Sequence, residues 1–280
     1  MVKLARAALF AVCCASLAGA QTSNRAATYE VEAVRFATIP AFRVSGLVKG
    51  ADSTRRLDIA MSVWLLRGGG RNVLVDAGFH RPRYIDRWKP EQYVSPAEAV
   101  RRAGVNPDSV TDIIISHIHW DHADGIDLFP SANVWIQAEE YNYYVTPGTG
   151  APKDRAIESE VSTMLFDLER RGKLKIVDGD AKEILPGITV YTGGRHTYAS
   201  QYVGVRSGAA TIVIASDNLY LYENLDKRAP IAQTFDAESN LRAQDRMKTI
   251  ASDVRLIVPG HDPAVYERFN TRANGIAIIR

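Results

Sequence analysis

Side chains that commonly bind metal ions are concentrated in the stretch SHIHWDHADG, residues 116–125, which holds three of the chain's six histidines and two aspartates. Neutral imidazole and carboxylate groups donate lone pairs to divalent cations with little reorganisation. On an extended loop, side chains two residues apart point the same way, so His117 and His119 can bind one ion. Asp121 and His122 then point elsewhere and can bind a second ion. The stretch therefore predicts a metal centre with two positions.

The metal-binding stretch and three further candidate ligands each follow a short apolar run that indicates a buried strand. These runs are DIII before His117, ITVYT before His196, TIVIAS before Asp217 and RLIVPG before His261. Functional side chains commonly lie on loops that a rigid scaffold holds in place. If the ends of these strands meet on one side of the sheet layers, we expect the ligands to converge in one cleft. His80 follows no such run and is interpreted as a loop histidine.

Predicted strands and helices are mixed along the rest of the chain. Three glycines at 68–70 separate two apolar segments and predict a hairpin turn. The stretch 95–104 predicts a short helix, because a serine can cap its start, a proline suits its first turn and a glycine ends it. Further helices are predicted at 155–172 and 240–253, with short apolar strands between them. This mixture favours an α/β protein built in layers.

Residues 1–20 have the order of a secretory signal peptide. Lys3 and Arg6 precede an apolar stretch that ends in Ala-Gly-Ala at 18–20. This order is typical of a segment that is cleaved during export, and the apolar stretch is too short to span a membrane. The sequence therefore predicts a periplasmic or secreted protein whose mature chain, residues 21–280, forms a single domain.

Composition narrows the possible partners. Both cysteines, Cys13 and Cys14, lie in the segment to be removed, so a metal site in the mature chain would use histidine and carboxylate ligands. Removing Lys3 and Arg6 leaves 32 of the 34 basic residues against 32 acidic residues, and no basic stripe indicates a nucleic-acid partner. No later segment is long and apolar enough for stable membrane insertion. A small-molecule substrate is expected, and the sequence does not indicate the oligomeric state.

The order of these groups, H-x-H-x-D-H at 117–122 and then a histidine, an aspartate and a terminal histidine, resembles the metallo-β-lactamase superfamily. The resemblance runs from VLVDAG at 73–78 to VPGHDP at 258–263. It implies an αββα sandwich with two divalent metal ions, zinc being the expected metal. Asp76 and Asp262 are expected to hold the far nitrogen of ligating imidazoles. The resemblance implies that His117, His119 and His196 hold one metal, that Asp121, His122 and His261 hold the other, and that Asp217 bridges the pair.

Within that superfamily the chain most resembles the N-acyl homoserine lactonases. The intervals of 21 residues from His196 to Asp217 and of 44 from Asp217 to His261 are similar to theirs, and Tyr220 stands where they carry a tyrosine that reaches the substrate carbonyl. This likeness implies an enzyme that opens a lactone ring with a hydroxide held between two metals. Asp121 would carry a proton to the leaving oxygen, and Tyr220 would stabilise the oxyanion. The alternative for Tyr220 is an aromatic residue at a sheet edge.

The sequence is also compatible with other functions that use a similar metal site. Glyoxalase-type thioester hydrolases and phosphodiesterases also have a bridging aspartate, although phosphate substrates would favour a more basic cleft. β-Lactamases generally lack an aspartate at the position of Asp217, which counts against a β-lactam substrate. A metal-binding module without catalysis is the alternative outside enzymes, and the complete ligand set counts against it. Trp120 and the aromatic patch Tyr141–Tyr144 are candidates for the walls of a substrate pocket, with a place in the apolar core as the alternative.

Overall fold

The computed structural model describes residues 27–145, 159–272 and 275–280, so the signal peptide predicted for residues 1–20 lies outside the described residues. Thirteen strands and eight α-helices are present in these described ranges. The strands are Tyr29–Arg43 (β1), Arg56–Gly68 (β2), Arg71–Val75 (β3), Asp112–Ile114 (β4), Asn133–Gln137 (β5), Leu174–Val177 (β6), Lys182–Leu185 (β7), Ile188–Thr192 (β8), Gln201–Ser207 (β9), Ala210–Ser216 (β10), Ile257–Pro259 (β11), Asn270–Arg272 (β12) and Ile276–Ile279 (β13). The helices are Pro82–Trp88 (α1), Pro96–Arg102 (α2), Trp120–Ala123 (α3), Ala138–Tyr144 (α4), Ser159–Arg170 (α5), Tyr222–Asp226 (α6), Ala237–Ile250 (α7) and Val265–Arg268 (α8).

The strands form two sheets. The larger sheet has the order β12-β13-β1-β2-β3-β4-β5-β6, and the smaller has the order β11-β10-β9-β8-β7. Strands β3 to β6 pair in parallel, whereas β1, β2 and β3 pair antiparallel. The hairpin predicted from the glycines at 68–70 is confirmed, because β2 and β3 pair from Gly68 and Arg71 onward.

Three apolar clusters separate the layers of the fold. One lies between the larger sheet and helices that include α2, α4 and α5. The second lies between the two sheets, and the third lies between the smaller sheet and α7. The alternation of side chains along a strand supplies both faces. In β10, for example, Ile212 and Ile214 face the other sheet while Val213 and Ala215 face α7. The αββα sandwich expected from the sequence is therefore confirmed.

Local capping explains where the predicted helices begin. The helix predicted at 95–104 is confirmed as α2, whose Ser95 side chain accepts a hydrogen bond from the backbone N–H of Glu98 at 3.2 Å. Helix α7 begins before the predicted 240–253, because Asp236 caps it by accepting from the N–H of Ser239 at 3.0 Å. Of the helix predicted at 155–172, residues 155–158 lie outside the described residues and the remainder forms α5. No helix in the described part of the chain is long and apolar enough to cross a membrane.

The sheet topology brings the ends of four strands together. Strands β8 and β10 each pair antiparallel with β9, and β11 pairs in parallel with β10, so β8, β10 and β11 all run in one direction. The backbone N–H of Gln201, at the start of β9, donates to the carbonyl of Ser116 at 2.8 Å, just beyond β4. The loops that follow β4, β8, β10 and β11 therefore meet at one edge of the sandwich.

Candidate metal centre

The seven side chains predicted as metal ligands lie together at this edge, in two groups that share one aspartate. In each group the potential ligand atoms all lie within 4.8 Å of one another. The first group contains His117, His119, His196 and Asp217, and the second contains Asp121, His122, Asp217 and His261. Three polypeptide segments far apart in sequence contribute to each group, so the site exists only in the folded chain.

Asp217 lies between the two groups with one carboxylate oxygen facing each. Its Oδ2 is 3.3 Å from Nε2 of His196 and 3.7 Å from Nε2 of His117. Its Oδ1 is 3.0 Å from Nε2 of His261 and 3.3 Å from Nε2 of His122. This placement is what a carboxylate that bridges two cations requires.

Buried lone pairs point into the centre without a hydrogen-bond partner. Within the described part of the chain, Nε2 of His117, Nε2 of His122 and Oδ1 of Asp217 are buried and accept no hydrogen bond. Burying a polar atom without a partner costs free energy, so native structures rarely tolerate several at one point. Imidazole nitrogen and carboxylate oxygen are ligands of zinc and similar divalent metals. The residues present therefore fit the metal ions that the sequence predicts.

The nitrogen facing away from the centre is hydrogen-bonded in four of the five clustered histidines. Nδ1 of His196 donates to the carbonyl of Gln233 at 2.8 Å, and Nδ1 of His261 donates to the carbonyl of Ala60 at 3.0 Å. Nδ1 of His122 lies 2.8 Å from Asp76, and Nδ1 of His117 lies 2.9 Å from the Ser116 hydroxyl. Such partners fix the ring orientation and leave Nε2 with its lone pair directed at the metal position.

One expectation about these partners is wrong. Asp262 holds no imidazole, because its carboxylate accepts from the backbone N–H groups of Tyr222 and Ala264, at 2.8 and 2.9 Å. The neighbouring His261 instead donates to a backbone carbonyl, that of Ala60. Carbonyls that act across the fold leave no signal in the sequence.

Asp76 connects the two sheets beneath the centre. Its Oδ1 accepts from the backbone N–H of Ser116 at 2.8 Å, and its Oδ2 accepts from the hydroxyls of Ser116 and Ser216, each at 2.9 Å. The same oxygen faces Nδ1 of His122. Asp76 therefore positions the segments on which both ligand groups depend.

We expect Asp76→Asn to weaken metal binding by about 10- to 100-fold, the usual effect of losing a partner of a ligating imidazole. The amide nitrogen would face the Nδ1–H of His122, donor against donor, and the ring would lose its orientation. Competition with a chelator measures the affinity. Asp112→Asn is the matched control, because Asp112 is equally buried but bonds to Arg71 and Trp135. Equal metal affinities in the two variants would contradict this role for Asp76.

Three of the eight non-glycine residues with positive φ angles in the described part of the chain lie at the metal centre. Asp76, Arg195 and Ser216 have positive φ angles of 61°, 55° and 47°, which side chains other than glycine seldom adopt. Arg195 immediately precedes His196, and Ser216 immediately precedes Asp217. Each such residue costs about 1–3 kcal/mol and persists only where surrounding contacts enforce it. The fold therefore holds these ligands in place at some cost to its stability.

The charges of the centre oppose one another across the two groups. Burial, followed by the charge of His122, lowers the pKa of His117 well below its usual value. Burial disfavours charge on His122, but the carboxylates of Asp217 and Asp121 raise its pKa well above its usual value. Burial also disfavours charge on Asp217, yet His122 and His261 hold its pKa well below the usual value. The carboxylates therefore attract positive charge, which bound cations would provide by displacing protons.

Tyr220 lies at the wall of the centre rather than at a sheet edge. It is 3% exposed, and its hydroxyl lies 3.3 Å from Nδ1 of His196. Its ring centroid is 5.5 Å from that of His196 and 5.8 Å from that of His261. The residue also lines the largest cavity that opens on the centre. It is therefore placed to contact a molecule bound there.

That cavity has a volume of about 280 Å³ and mainly apolar walls away from the ligands. The apolar walls are Ile39, Phe42, Leu47, Ile59, Met61, Trp88 and Trp120. Trp120 stacks on Trp88, with ring centroids 5.6 Å apart and planes at 8°. Of the aromatic residues considered as pocket walls, Trp120 lines this cavity, whereas Tyr141 and Tyr144 pack in the core. A second opening of about 190 Å³, lined by Gln233, Thr234 and Phe235, reaches the centre beside His119 and His196.

Three buried polar residues that the sequence analysis did not single out connect the loops of the centre. They are Glu140, Gln201 and Asn218. Asn218 accepts from the N–H of Gly194 at 2.7 Å and donates to the carbonyl of Gln201 at 3.0 Å. The sequence indicates a role for Asn218 only through its position next to the predicted ligand Asp217. It does not indicate a role for Glu140, which follows an exposed glutamate in a stretch without clear periodicity.

Comparison with known proteins gives one family. A family model described as the metallo-beta-lactamase superfamily matches residues 60–261. A solved structure of a quorum-quenching N-acyl homoserine lactone lactonase superposes with a TM-score of 0.71, at 21% identity, over 87% of this chain and 96% of that one. At this identity the superposition shows a shared fold.

Curated relatives are similar over a smaller part of the chain. The N-acyl homoserine lactonase AiiA of Bacillus thuringiensis subsp. kurstaki is 29% identical over 166 residues, 58% of this chain and 60% of that protein. The match thus spans less than two thirds of AiiA's length. An N-acyl homoserine lactonase of Bacillus cereus is 29% identical over 222 residues, 74% of this chain and 82% of that protein.

Proposed function

Because the chain belongs to the metallo-beta-lactamase superfamily, we propose that it is a two-metal hydrolase that opens the ring of N-acyl homoserine lactones. The observation that carries the proposal is the pair of ligand groups that share Asp217. The lactonase relatives support the choice of substrate. Residues 1–20 have the order of a signal peptide, and we further propose that the enzyme acts after export.

His117, His119 and His196 would hold one metal ion, and Asp121, His122 and His261 would hold the other, with Asp217 shared. When bound, two such ions, zinc being the expected metal, would lower the pKa of a water molecule towards about 7 and polarise a substrate carbonyl. The side chains around the metal positions would carry out the remaining steps, which are stabilisation of the oxyanion and proton transfer.

Tyr220 is assigned to the carbonyl oxygen of the lactone. Nδ1–H of His196 donates to the carbonyl of Gln233, so the tyrosine hydroxyl at 3.3 Å is not required to hold that ring. It can donate a hydrogen bond to the oxygen as negative charge develops in the transition state, and donors placed in advance contribute most there. Its burial among the walls of the cavity keeps this donor in one position.

Asp121 is assigned to proton transfer. Its side chain is 14% exposed, more than the other members of its group, and it lines the cavity. Its Oδ2 is 3.5 Å from Nε2 of His122 and 3.7 Å from Nε2 of His261. A carboxylate between the metal position and the cavity can take the proton of the attacking water and deliver it to the ring oxygen as the C–O bond breaks.

The apolar cavity suits the acyl chain of the substrate. Its aromatic wall extends outward from Trp120, which is next to Asp121, to Trp88 and Phe42, whose rings lie 6.0 Å apart. An acyl chain that packs along this wall would transfer apolar surface out of water, while the lactone ring stays beside the metal ligands.

We expect Trp88→Ala to raise KM for a decanoyl substrate about tenfold and to change KM for a butyryl substrate little. Losing roughly 50 Å² of apolar contact corresponds to about 1.4 kcal/mol, or a factor of ten. Phe235→Ala is the matched variant, because Phe235 lines the second opening and is 64% exposed. If the chain-length effect appears in Phe235→Ala instead, the acyl chain occupies the second opening.

A panel of substrates tests the proposed function. Purified, metal-loaded protein is assayed on an N-acyl homoserine lactone, a simple lactone, a thioester, a phosphodiester and a β-lactam. We expect the N-acyl homoserine lactone to have the highest kcat/KM and chelation to abolish its turnover. Turnover of the thioester, phosphodiester or β-lactam without turnover of any lactone would contradict the proposal. The protein would then be a hydrolase of the same fold that acts on another class of substrate.

A further inference from the structure

The three-histidine group depends on the alignment of two loops from different sheets. His117 and His119 lie on the loop after β4 of the larger sheet, whereas His196 lies on the loop after β8 of the smaller sheet. Nδ1 of His119 and Nε2 of His196 face each other at 2.9 Å across this junction. A relative shift of about 1 Å between the loops would change that geometry, so the fold must fix their alignment.

Glu140 connects these two loops directly. It lies in the first turn of α4 and is 1% exposed. Its Oε1 accepts from the backbone N–H of Ile118 at 3.1 Å, and its Oε2 accepts from the N–H of Ala199 at 2.8 Å. Ile118 stands between His117 and His119, and Ala199 lies three residues after His196. One carboxylate therefore holds both ligand-bearing loops.

Burying the Glu140 carboxylate costs free energy, because removal from water disfavours its charged form. Burial raises the pKa of Glu140, and nearby donors, first the Thr197 hydroxyl and then the N–H groups of Ala199 and Ile118, act in the opposite direction. A buried carboxylate is tolerated where hydrogen bonds satisfy both oxygens. Gln201 joins the same two layers just before His117, since its backbone N–H donates to the carbonyl of Ser116 and its Nε2 to that of Ile115, both at 2.8 Å. Glu140 is the contact that reaches the residue between His117 and His119.

We propose that Glu140 is a positioning residue that sets the metal affinity of the group formed by His117, His119 and His196. It belongs to neither ligand group and lines neither cavity at the centre, so it acts through the two loops. The inference rests on the two-metal centre of the proposed function but not on the lactone substrate.

The second ligand group has separate supports. Asp76 holds His122, and the carbonyl of Ala60 holds His261. Loss of Glu140 should therefore weaken one of two bound metals more than the other. A general loss of fold stability would weaken both.

Glu140→Gln tests the inference because it preserves size and changes one atom type. The amide oxygen can accept one backbone N–H, but the amide NH₂ then faces the other N–H as a second donor. Glu139→Gln is the matched control, an exposed neighbour on the same helix. Metal-free protein is titrated with Co²⁺ while absorption and bound metal are measured, and the thermal midpoint is recorded for each variant.

We expect two equivalents to bind to the wild type and to Glu139→Gln. In Glu140→Gln one equivalent should bind about 10- to 100-fold more weakly, with altered absorption, and the other as in the wild type. Unchanged affinity for both equivalents would overturn the inference, and so would an equal loss at both. If Glu140→Gln does not fold, Glu140→Asp replaces it. The shorter side chain keeps the charge but can accept a hydrogen bond from only one of the two loops. A wild type that binds no metal would instead refute the two-metal centre itself.

Discussion

Asp217→Ala is expected to lower kcat/KM for an N-acyl homoserine lactone by at least about 10³-fold. The carboxylate faces both ligand groups, within 3.0 to 3.7 Å of four imidazole nitrogens. Its loss removes a ligand from each group and leaves the histidine cluster without its central negative charge. Metal ions contribute several kcal/mol of charge stabilisation in the transition state, and each 1.36 kcal/mol is tenfold in rate.

The measurement is kcat/KM together with bound metal per chain. We expect the variant to retain less than the two equivalents of the wild type. Asp245→Ala is the control, because Asp245 is a partly exposed residue of α7 that pairs with Arg228, and surface pairs of this kind contribute little. Lactone turnover that survives Asp217→Ala unchanged would rule out a mechanism with two metals.

Tyr220→Phe is expected to lower kcat by about 10²- to 10³-fold, the usual effect of removing one donor to a developing oxyanion. The ring remains and continues to pack beside His196 and His261, so metal content and fold stability should not change. KM should change less than kcat, because the hydrogen bond strengthens only as charge develops. Steady-state kinetics and metal analysis on one preparation separate these effects.

Tyr222→Phe provides a matched control for this variant. Tyr222 is as buried as Tyr220, but its hydroxyl has no hydrogen-bond partner among the described residues. We expect its kinetics to equal those of the wild type. A normal kcat in Tyr220→Phe would return Tyr220 to the role of a packing residue.

The parts of the site that the sequence predicts are those encoded locally. The H-x-H-x-D-H stretch places four ligands within six residues, and each remaining ligand follows a short apolar run within a few residues. Short apolar runs bounded by turn residues favour buried strands, so the positions of His196, Asp217 and His261 beyond strand ends could be predicted from local sequence. The layered fold followed from the same runs, together with the resemblance to a known family.

The parts that the sequence does not predict depend on contacts between distant segments. Asp262 has the residue type expected of a histidine partner, but the backbone carbonyl of Ala60 occupies that position. Glu140 looks like any helix glutamate until the fold places it between two loops. The apolar cavity walls come mainly from β1, β2, α1 and α3, so Trp88 and Trp120 become one surface only after folding.

Ring opening of an N-acyl homoserine lactone during metal titration tests the central claim most directly. Metal is removed from the purified protein with a chelator and added back in known equivalents, while proton release is followed in a weakly buffered solution. The two-metal account predicts no turnover without metal and a rate that saturates at two equivalents per chain. Metal-loaded protein that leaves the lactone closed would contradict the account, as would full turnover by the metal-free protein.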